Sequence, residues 1–368
     1  FRRCGANLLH CRSPLSLALQ SASITWERTA SRRRPAFSSH LVSTVTHGRG
    51  YNQHKVLAMQ NARLLSIAAT LGLLVSFNHS AGQSKPSNGG ERKVDVAFLA
   101  NDKRGKPVLK VAESDLEVLD NKKAPKRVLG IRDRSEVPLL LGILVDVSGS
   151  QSSSSVYALA VQAASEFANQ ALTGRDDKAF LERFALVPEA TQLMTKDQFQ
   201  ALKIDLNPDE GRTALFDALG FACDARMKDD SGRDSLRVIV LLSDGEDNAS
   251  HNDLKRAITS AQTAGAMIFA VDTKNYRFSP DDGFPGNVNL WELAEQTGGT
   301  AFLHLDHESV PKAFAAIKEQ IDNIHVLSYV AADPKQGVQY HSLELKSTSK
   351  TKLRLRAPKG YYSNVATE

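Results

Sequence analysis

The sequence predicts an α/β fold: a doubly wound, mostly parallel sheet with helices on both faces, flanked by a small β module built from N- and C-terminal segments. Three observations predict it. The run Val137-Pro138-Leu139-Leu140-Leu141-Gly142-Ile143-Leu144-Val145 is almost unbroken in apolar character and stops at Asp146, as a strand buried on both faces does. From there to Asn323, apolar runs of strand length alternate with helical patterns, the signature of βαβ units. On either side, residues 93–133 and 324–363 break into short alternating runs separated by turn residues, the pattern of small β segments.

Taken in order, residues 1–58 are Arg- and Ser-rich, with nine basic side chains against one acid, Glu27. They are expected to lie outside the mature protein. Residues 59–83 read as a signal peptide: Met59-Gln60-Asn61-Ala62-Arg63 is a short positive start, Leu64 to Phe77 an apolar stretch, and Ser80-Ala81-Gly82 a small-residue cleavage site. About fourteen apolar residues fall short of the roughly 20 that cross a bilayer, so no permanent membrane span is expected. Export to the periplasm or the extracellular space follows. Residues 84–92 are polar and turn-rich, as a linker is.

Strands are predicted in the first β segment at Val94 to Leu99, Val108 to Val111, Leu116 to Leu119 and Arg127 to Ile131. The α/β domain, 137–323, opens on the strand ending at Asp146. It continues with a helix from Ser153 to Leu172, strands at Lys178 to Phe184 and Thr191 to Met194, and a short helix at Gln198 to Leu202. Then come a helix from Thr213 to Met227, a strand from Arg237 to Leu242, a helix from Asn252 to Ala264 and a strand from Ala266 to Val271. A helix at Leu290 to Gln296, a strand at Thr300 to Leu305 and a helix at Val310 to Asn323 complete it. The tail returns to strands at His325 to Ala331, Tyr340 to Lys346 and Lys352 to Arg356. The two β segments are expected to pair into one module from which the α/β domain projects.

Composition narrows the function. Apolar residues make up 42% of the chain, sufficient for a real core. The net charge of +5 over the chain and +8 over residues 1–58 leaves −3 for the remaining residues, so the basic balance belongs to the leader. No basic patch interleaves with aromatics, and no nucleic-acid partner is expected. Cys4 and Cys11 lie in the leader; Cys223 falls among Leu215, Ala218, Leu219 and Ala222 and reads as a buried structural thiol. The histidines, His304, His307, His325 and His341, show no metal-ligand spacing, and His307-Glu308 lacks the downstream His of a zinc-protease helix. A Gly-x-Ser-x-Gly elbow, a phosphate-binding Gly-rich loop and a Cys-His pair are all missing, so no enzyme is expected.

The chemistry concentrates at Asp146-Val147-Ser148-Gly149-Ser150. Taken alone, this pentapeptide is equally a helix N-cap or a cation loop. Other segments weigh on that choice. The strand Val238 to Leu242 also empties into oxygen donors, Ser243-Asp244-Gly245-Glu246-Asp247-Asn248, and Asp209-Glu210-Gly211-Arg212-Thr213 offers a hydroxyl at a helix start. Since open α/β sheets bind ligands beyond the carboxyl ends of their strands, three loops at one edge could gather Asp146, Ser148, Ser150, Thr213 and Asp244 around a single ion. Hydroxyls leave the charge of such an ion uncancelled and open to an external carboxylate. Glu246 and Asp247 read as a solvated acidic turn, Arg212 as a solvent-facing cation, and Asp281-Asp282 as part of a Pro/Gly-rich loop without chemistry of its own.

This set, in this order, resembles the von Willebrand factor A domain, whose metal-ion-dependent adhesion site uses Asp-x-Ser-x-Ser, a distant Thr and a later Asp. The resemblance implies Ser148, Ser150 and Thr213 as hydroxyl ligands of Mg2+, Mn2+ or Ca2+, with Asp146 and Asp244 binding directly or through water. Arg212 departs from the family, in which a small residue usually precedes the Thr. The flanking β segments, the leader and the closing Ala357-Pro358-Lys359-Gly360-Tyr361-Tyr362 look like the bacterial exported VWFA-related family described mainly from Acidobacteria. The implied function is a non-enzymatic adhesion-type module whose metal takes a Glu or Asp of a partner protein. The alternative is a metal-assisted phosphoester hydrolase using the same cation, for which no general base is identified.

Overall fold

A computed structural model describes residues 91–228, 234–274, 285–332, 339–350 and 352–363, all within the compact unit Ala81–Glu368. The expected leader, nearly all of the linker and the Asp281-Asp282 pair lie outside the described residues. The elements are β1 (Lys93–Asn101), β2 (Leu116–Asp120), β3 (Arg127–Asp133), β4 (Leu139–Asp146), α1 (Tyr157–Ala171), β5 (Lys178–Phe184), β6 (Pro188–Ala190), α2 (Lys196–Gln200) and α3 (Leu215–Ala222). There follow β7 (Leu236–Ser243), α4 (Leu254–Ala264), β8 (Ala266–Asp272), α5 (Pro285–Thr297), β9 (Ala301–Phe302), α6 (Ser309–Asp322), β10 (Ile324–Val330), β11 (Gln339–Ser347), β12 (Arg354–Arg356) and β13 (Gly360–Ser363).

The central sheet runs β6-β5-β4-β7-β8-β9, all neighbours parallel except the β5/β6 pair. Every residue of β4 and β8 is buried, because helices cover both faces. Side chains alternate along β4. Leu141, Ile143 and Val145 pack with α1 and α6, where Phe167 and Phe314 lie 5.8 Å apart between ring centres. Leu140 and Leu144 pack instead with Leu215 and Leu219 of α3 and Ala257 and Ala261 of α4. Gly142 is required on that second face: a Cβ there would lie 2.6 Å from the Phe180 ring. Among the described residues no helix is long and apolar enough to cross a membrane.

The flanking segments do pair with one another. A four-stranded antiparallel sheet has the order β12-β1-β10-β3, so N-terminal strands alternate with C-terminal ones, and a three-stranded sheet, β13-β11-β2, mixes them again. Val96, Phe98, Val118, Leu327, Tyr329 and Leu343 form their shared apolar core. Asp120 is buried there and accepts the Tyr329 hydroxyl at 3.0 Å and the Tyr361 hydroxyl at 2.5 Å, with His341 Nδ1 2.9 Å away. At the base of the α/β domain, Arg134 joins Asp177 at 2.7 Å, and Asp177 also accepts the backbone N–H of Leu139 at 2.8 Å.

Several expected boundaries move. The strand expected at Val108 to Val111 does not form: Pro107 makes a single bridge to Asn101, and Leu109 beyond it is exposed. The strand expected at Thr191 to Met194 forms earlier, at β6, with only a bridge at Met194. The strand expected at Thr300 to Leu305 shortens to β9, since His304 adopts a left-handed φ of 56°. Strand β13, which ends the second sheet, had no sequence signal beyond its aromatics.

Candidate metal centre

Asp146 ends β4 at the carboxyl edge of the sheet and is fully buried. Its Oδ1 accepts the Ser148 backbone N–H at 2.9 Å, closing the turn that leaves the strand. Its Oδ2 accepts the Ser243 hydroxyl at 2.6 Å, across to the end of β7. Burial pushes the Asp146 carboxyl up to about 7, helped by the charge of Asp244, while the bonds from Ser148 and Ser243 oppose the rise. The Ser148 and Ser150 hydroxyl oxygens lie 3.2 Å apart, Ser148 buried and Ser150 exposed.

Neither hydroxyl caps α1. A 3-10 turn, Gly149–Ser153, follows Ser148, and the helix starts only at Tyr157, whose N–H donates to Ser154 Oγ at 3.1 Å. Helix capping therefore leaves Ser148 and Ser150 without a role.

The segment before α3 is laced to this loop. Asp209 N–H donates to Val147 O at 2.6 Å and Gly149 N–H to Gly211 O at 3.1 Å. Thr213, 2% exposed, is held from both sides of its backbone: its N–H donates to Asn248 Oδ1 at 3.0 Å, and its carbonyl accepts the N–H groups of Asn248 and Ala249 at 3.0 Å each. Asp247 is not the solvated turn residue expected. Its Oδ2 accepts Phe216 N–H at 3.0 Å and so satisfies the first turn of α3, which lacks a capping side chain of its own. Glu246 is half-buried, and burial with the charge of Asp244 raises its carboxyl.

Asp244, 5% exposed, accepts Glu246 N–H at 3.1 Å. The turn after it needs Gly245, which has φ 74° and whose Cβ, if present, would lie 2.2 Å from Gly286 O. Thus all five expected residues stand on three mutually bonded loops at one sheet edge: Asp146 with Ser148 and Ser150, Thr213 through Gly211 and Gly149, and Asp244 through its neighbour Ser243, which bonds to Asp146, and through Asn248, which bonds to Thr213. Arg212 is exposed, as expected, beside Arg183, which is paired with Asp209 and Glu189.

The donors are three hydroxyls and two carboxyls, an oxygen-only set of the kind hard divalent cations take. Asp146 and Asp244 repel one another in a buried place, and a cation there would offset that cost. Among the described residues no group of three or more His, Cys, Asp or Glu could hold a metal, so a cation at this edge would rest on hydroxyls. Sequence reasoning missed Ser243, Asp247 and Asn248 as supports. Ser243 carried a signal, a hydroxyl next to Asp244 at a strand end; the roles of the other two depend on where α3 begins.

Away from this edge, Cys223 is buried and unpaired, its thiol raised by burial. Glu182 in β5 is fully buried, neither carboxyl oxygen has a hydrogen-bond partner, and burial pushes it up to about 8. His325 bonds to Asp133 and the Val108 carbonyl, a structural role as expected.

Residues 141–316 match the family model of the von Willebrand factor type A domain. No curated protein matches. Similar solved structures include a von Willebrand factor type A protein from Catenulispora acidiphila, at 13% identity, covering 74% of this chain and 75% of that one with a TM-score of 0.41. An aerotolerance-related membrane protein from Bacteroides fragilis is 18% identical over 50% of this chain and 98% of its own, with a TM-score of 0.37. Proximal thread matrix protein 1 from the mussel byssus, in a structure with a zinc-occupied adhesion motif, is 12% identical over 50% of this chain and 48% of its own, with a TM-score of 0.38. The match is seated on the six-stranded sheet and its covering helices, so it is the α/β domain of this chain that is similar to the von Willebrand factor type A domain.

Proposed function

We propose that this is an exported protein-binding module in which a divalent cation, Mg2+ or in its place Mn2+ or Ca2+, is held by Asp146, Ser148, Ser150, Thr213 and Asp244 and takes a Glu or Asp of a partner protein. The observation that carries this reading is the buried, raised carboxyl of Asp146 beside Asp244, next to neutral hydroxyls that open to solvent at Ser150. Two carboxylates balance a dication, and hydroxyl ligands leave its pull on an outside carboxylate undiminished. The chain's own residues fix the geometry: Ser243 and the Ser148 N–H aim Asp146, and Asn248 holds Thr213. Residues 137–323 serve as the binding unit, and 93–133 with 324–363 as its base. Export is read from the leader at Met59. The reading is tested by capturing partners from cell-envelope extract in Mg2+ and in EDTA. Binding should be lost in EDTA and in Asp146→Ala and Thr213→Ala; full retention in EDTA would discard the reading.

A further inference from the structure

Charge is divided sharply between the α/β domain and its base. The β segments of the base, 93–133 and 324–363, hold 17 basic side chains against 9 acidic ones, a net +8, whereas residues 137–323 hold 16 against 28, a net −12. The two parts meet at the amino ends of the central strands, where Lys93 and Asp95 share a cleft with Asp234 and Leu236. The candidate metal loops leave the carboxyl ends of those strands, at Asp146 and Ser243. The molecule is therefore electrically polar, with its cations gathered on the base and its anions on the domain that carries the metal edge.

Within the base, cations crowd one corner. The turn after β1 carries Lys103, Arg104 and Lys106, and it is closed by Asp102 N–H to Lys106 O at 2.8 Å and by a bridge from Asn101 to Pro107. Arg354 of β12 is register-paired with Asn101, at the foot of that turn, and Lys352 lies two residues before it. Lys110 follows the turn. All six are exposed, and none joins an ion pair among the described residues. Asp102, the acid in the turn, is engaged by the turn itself, its carboxyl accepting the Arg104 and Lys106 N–H groups at 2.8 and 2.9 Å. Glu113, the next acid along the chain, lies against Gly130 of β3 instead.

An apolar side chain stands among these cations. Leu109, between Lys106 and Lys110, is 68% exposed. The residue before it is fixed: Val108 N–H donates to Ala100 O at 2.9 Å, and the Val108 carbonyl lies 2.9 Å from His325 Nε2. A leucine held in water forgoes the free energy of burial, and like charges gathered at one turn repel one another. An anionic phospholipid leaflet relieves both, because its headgroups answer the cations while its acyl boundary takes the leucine. A soluble polyanion would answer the charges alone.

We propose that the corner formed by Lys103, Arg104, Lys106, Lys110, Lys352 and Arg354 around Leu109 seats the base on an anionic membrane surface, from which the acidic α/β domain is repelled. The proposal does not draw on the candidate cation, and its test is run in EDTA. The protein is residues 81–368, a compact unit without the cations of the leader. Cosedimentation is measured with vesicles of equal parts phosphatidylglycerol and phosphatidylcholine and with vesicles of phosphatidylcholine alone. Wild type should bind the mixed vesicles, not the neutral ones, and should be released by high salt. Lys103→Gln/Arg104→Gln should weaken binding about thirtyfold, at about 1 kcal/mol per cation near an anionic leaflet. Leu109→Ser should weaken it about tenfold. Because all three side chains are exposed, thermal unfolding of the variants should match wild type. No preference for the mixed vesicles, or a preference that Lys103→Gln/Arg104→Gln leaves unchanged, overturns the proposal. Binding that Leu109→Ser leaves unchanged also overturns it, and polyphosphate binding by wild type would then assign the corner to a soluble polyanion.

Discussion

The Ser243 hydroxyl donates a 2.6 Å hydrogen bond to Asp146 Oδ2, linking the carboxyl ends of two adjacent parallel strands. That bond opposes the rise that burial imposes on the carboxyl and fixes which oxygen faces the neighbouring loop. Ser243→Ala should weaken Mg2+ binding by about ten- to a hundredfold, the usual effect of losing a residue that orients a metal ligand. Isothermal titration measures it, and an unchanged affinity would remove Ser243 from the site.

Asp146 must give up its proton to serve a cation. Because its carboxyl is pushed up to about 7, the proton is a competitor within the physiological range. Apparent Mg2+ affinity should hold steady above about pH 7 and fall roughly tenfold per unit below it. Titrations from acid to mildly alkaline pH give the profile; a flat one across neutrality would show that Asp146 takes no part.

Asn248 is exposed and is not among the proposed ligands, yet its side chain accepts the Thr213 N–H. Asn248→Ala should lower Mg2+ affinity by about tenfold, whereas Asn248→Asp, which keeps the acceptor, should restore most of it. Equal affinities in the two variants would reduce Asn248 to a bystander.

Gly245→Ala faces a left-handed φ of 74° and a carbonyl oxygen 2.2 Å from the new methyl. The backbone cost alone is about 1–2 kcal/mol, and displacing Gly286 adds to it. Thermal unfolding should register a loss of about 2 kcal/mol or more, and metal affinity should fall as the Asp244 turn opens. A melting temperature equal to wild type would contradict this account of the turn.

Glu182 supplies a pH signature in the opposite sense to most carboxylates. Its folded value, about 8, exceeds the ordinary 4.5, so the folded chain holds the proton more tightly than the unfolded one. This contribution is fully present below about pH 4.5, declines as pH rises toward 8, and is level beyond. Glu182→Gln removes the titration and should gain on wild type across that window by an amount on the order of several kcal/mol, at about 1.4 kcal/mol per pKa unit. Denaturant titrations at pH 5 and pH 9 compare the two, and a difference independent of pH would place the Glu182 proton elsewhere.

The sheet was legible because its strands are buried on both faces: Leu139 to Val145 and Val238 to Leu242 can be little else than central parallel strands. Asp146, with Ser148 and Ser150 after it, and Asp244 could be placed at the sheet edge for a related reason, since a long apolar run ending in Asp or Ser-Asp marks a strand's carboxyl end, whereas Thr213 was signalled only as a hydroxyl before a helix. What stayed hidden depends on pairing across long separations. Asp120 is an ordinary turn residue until Tyr329 and Tyr361, more than two hundred positions away, are folded onto it. Asp247 looked like a solvated turn residue, and Asn248 like one more oxygen donor, because the helix start and the Thr213 backbone that they hold lie over thirty residues earlier. Strand ends were misplaced where one residue decides the backbone, as at Pro107 and His304.

The α/β domain enters from the end of β3 and leaves into the start of β10, and these ends are register neighbours, His325 opposite Asp133. The strand that pairs with β10 on its other side, β1, runs antiparallel to it, with Lys93 at the far end and Leu99 beside the domain. Tension between a captured partner and the chain preceding Lys93 would therefore draw β10 one way and β1 the other, along their length. Seven registered positions, from Lys93 with Val330 to Leu99 with Ile324, would share that shear and have to fail together, whereas a strand peeled from its end yields one pair at a time.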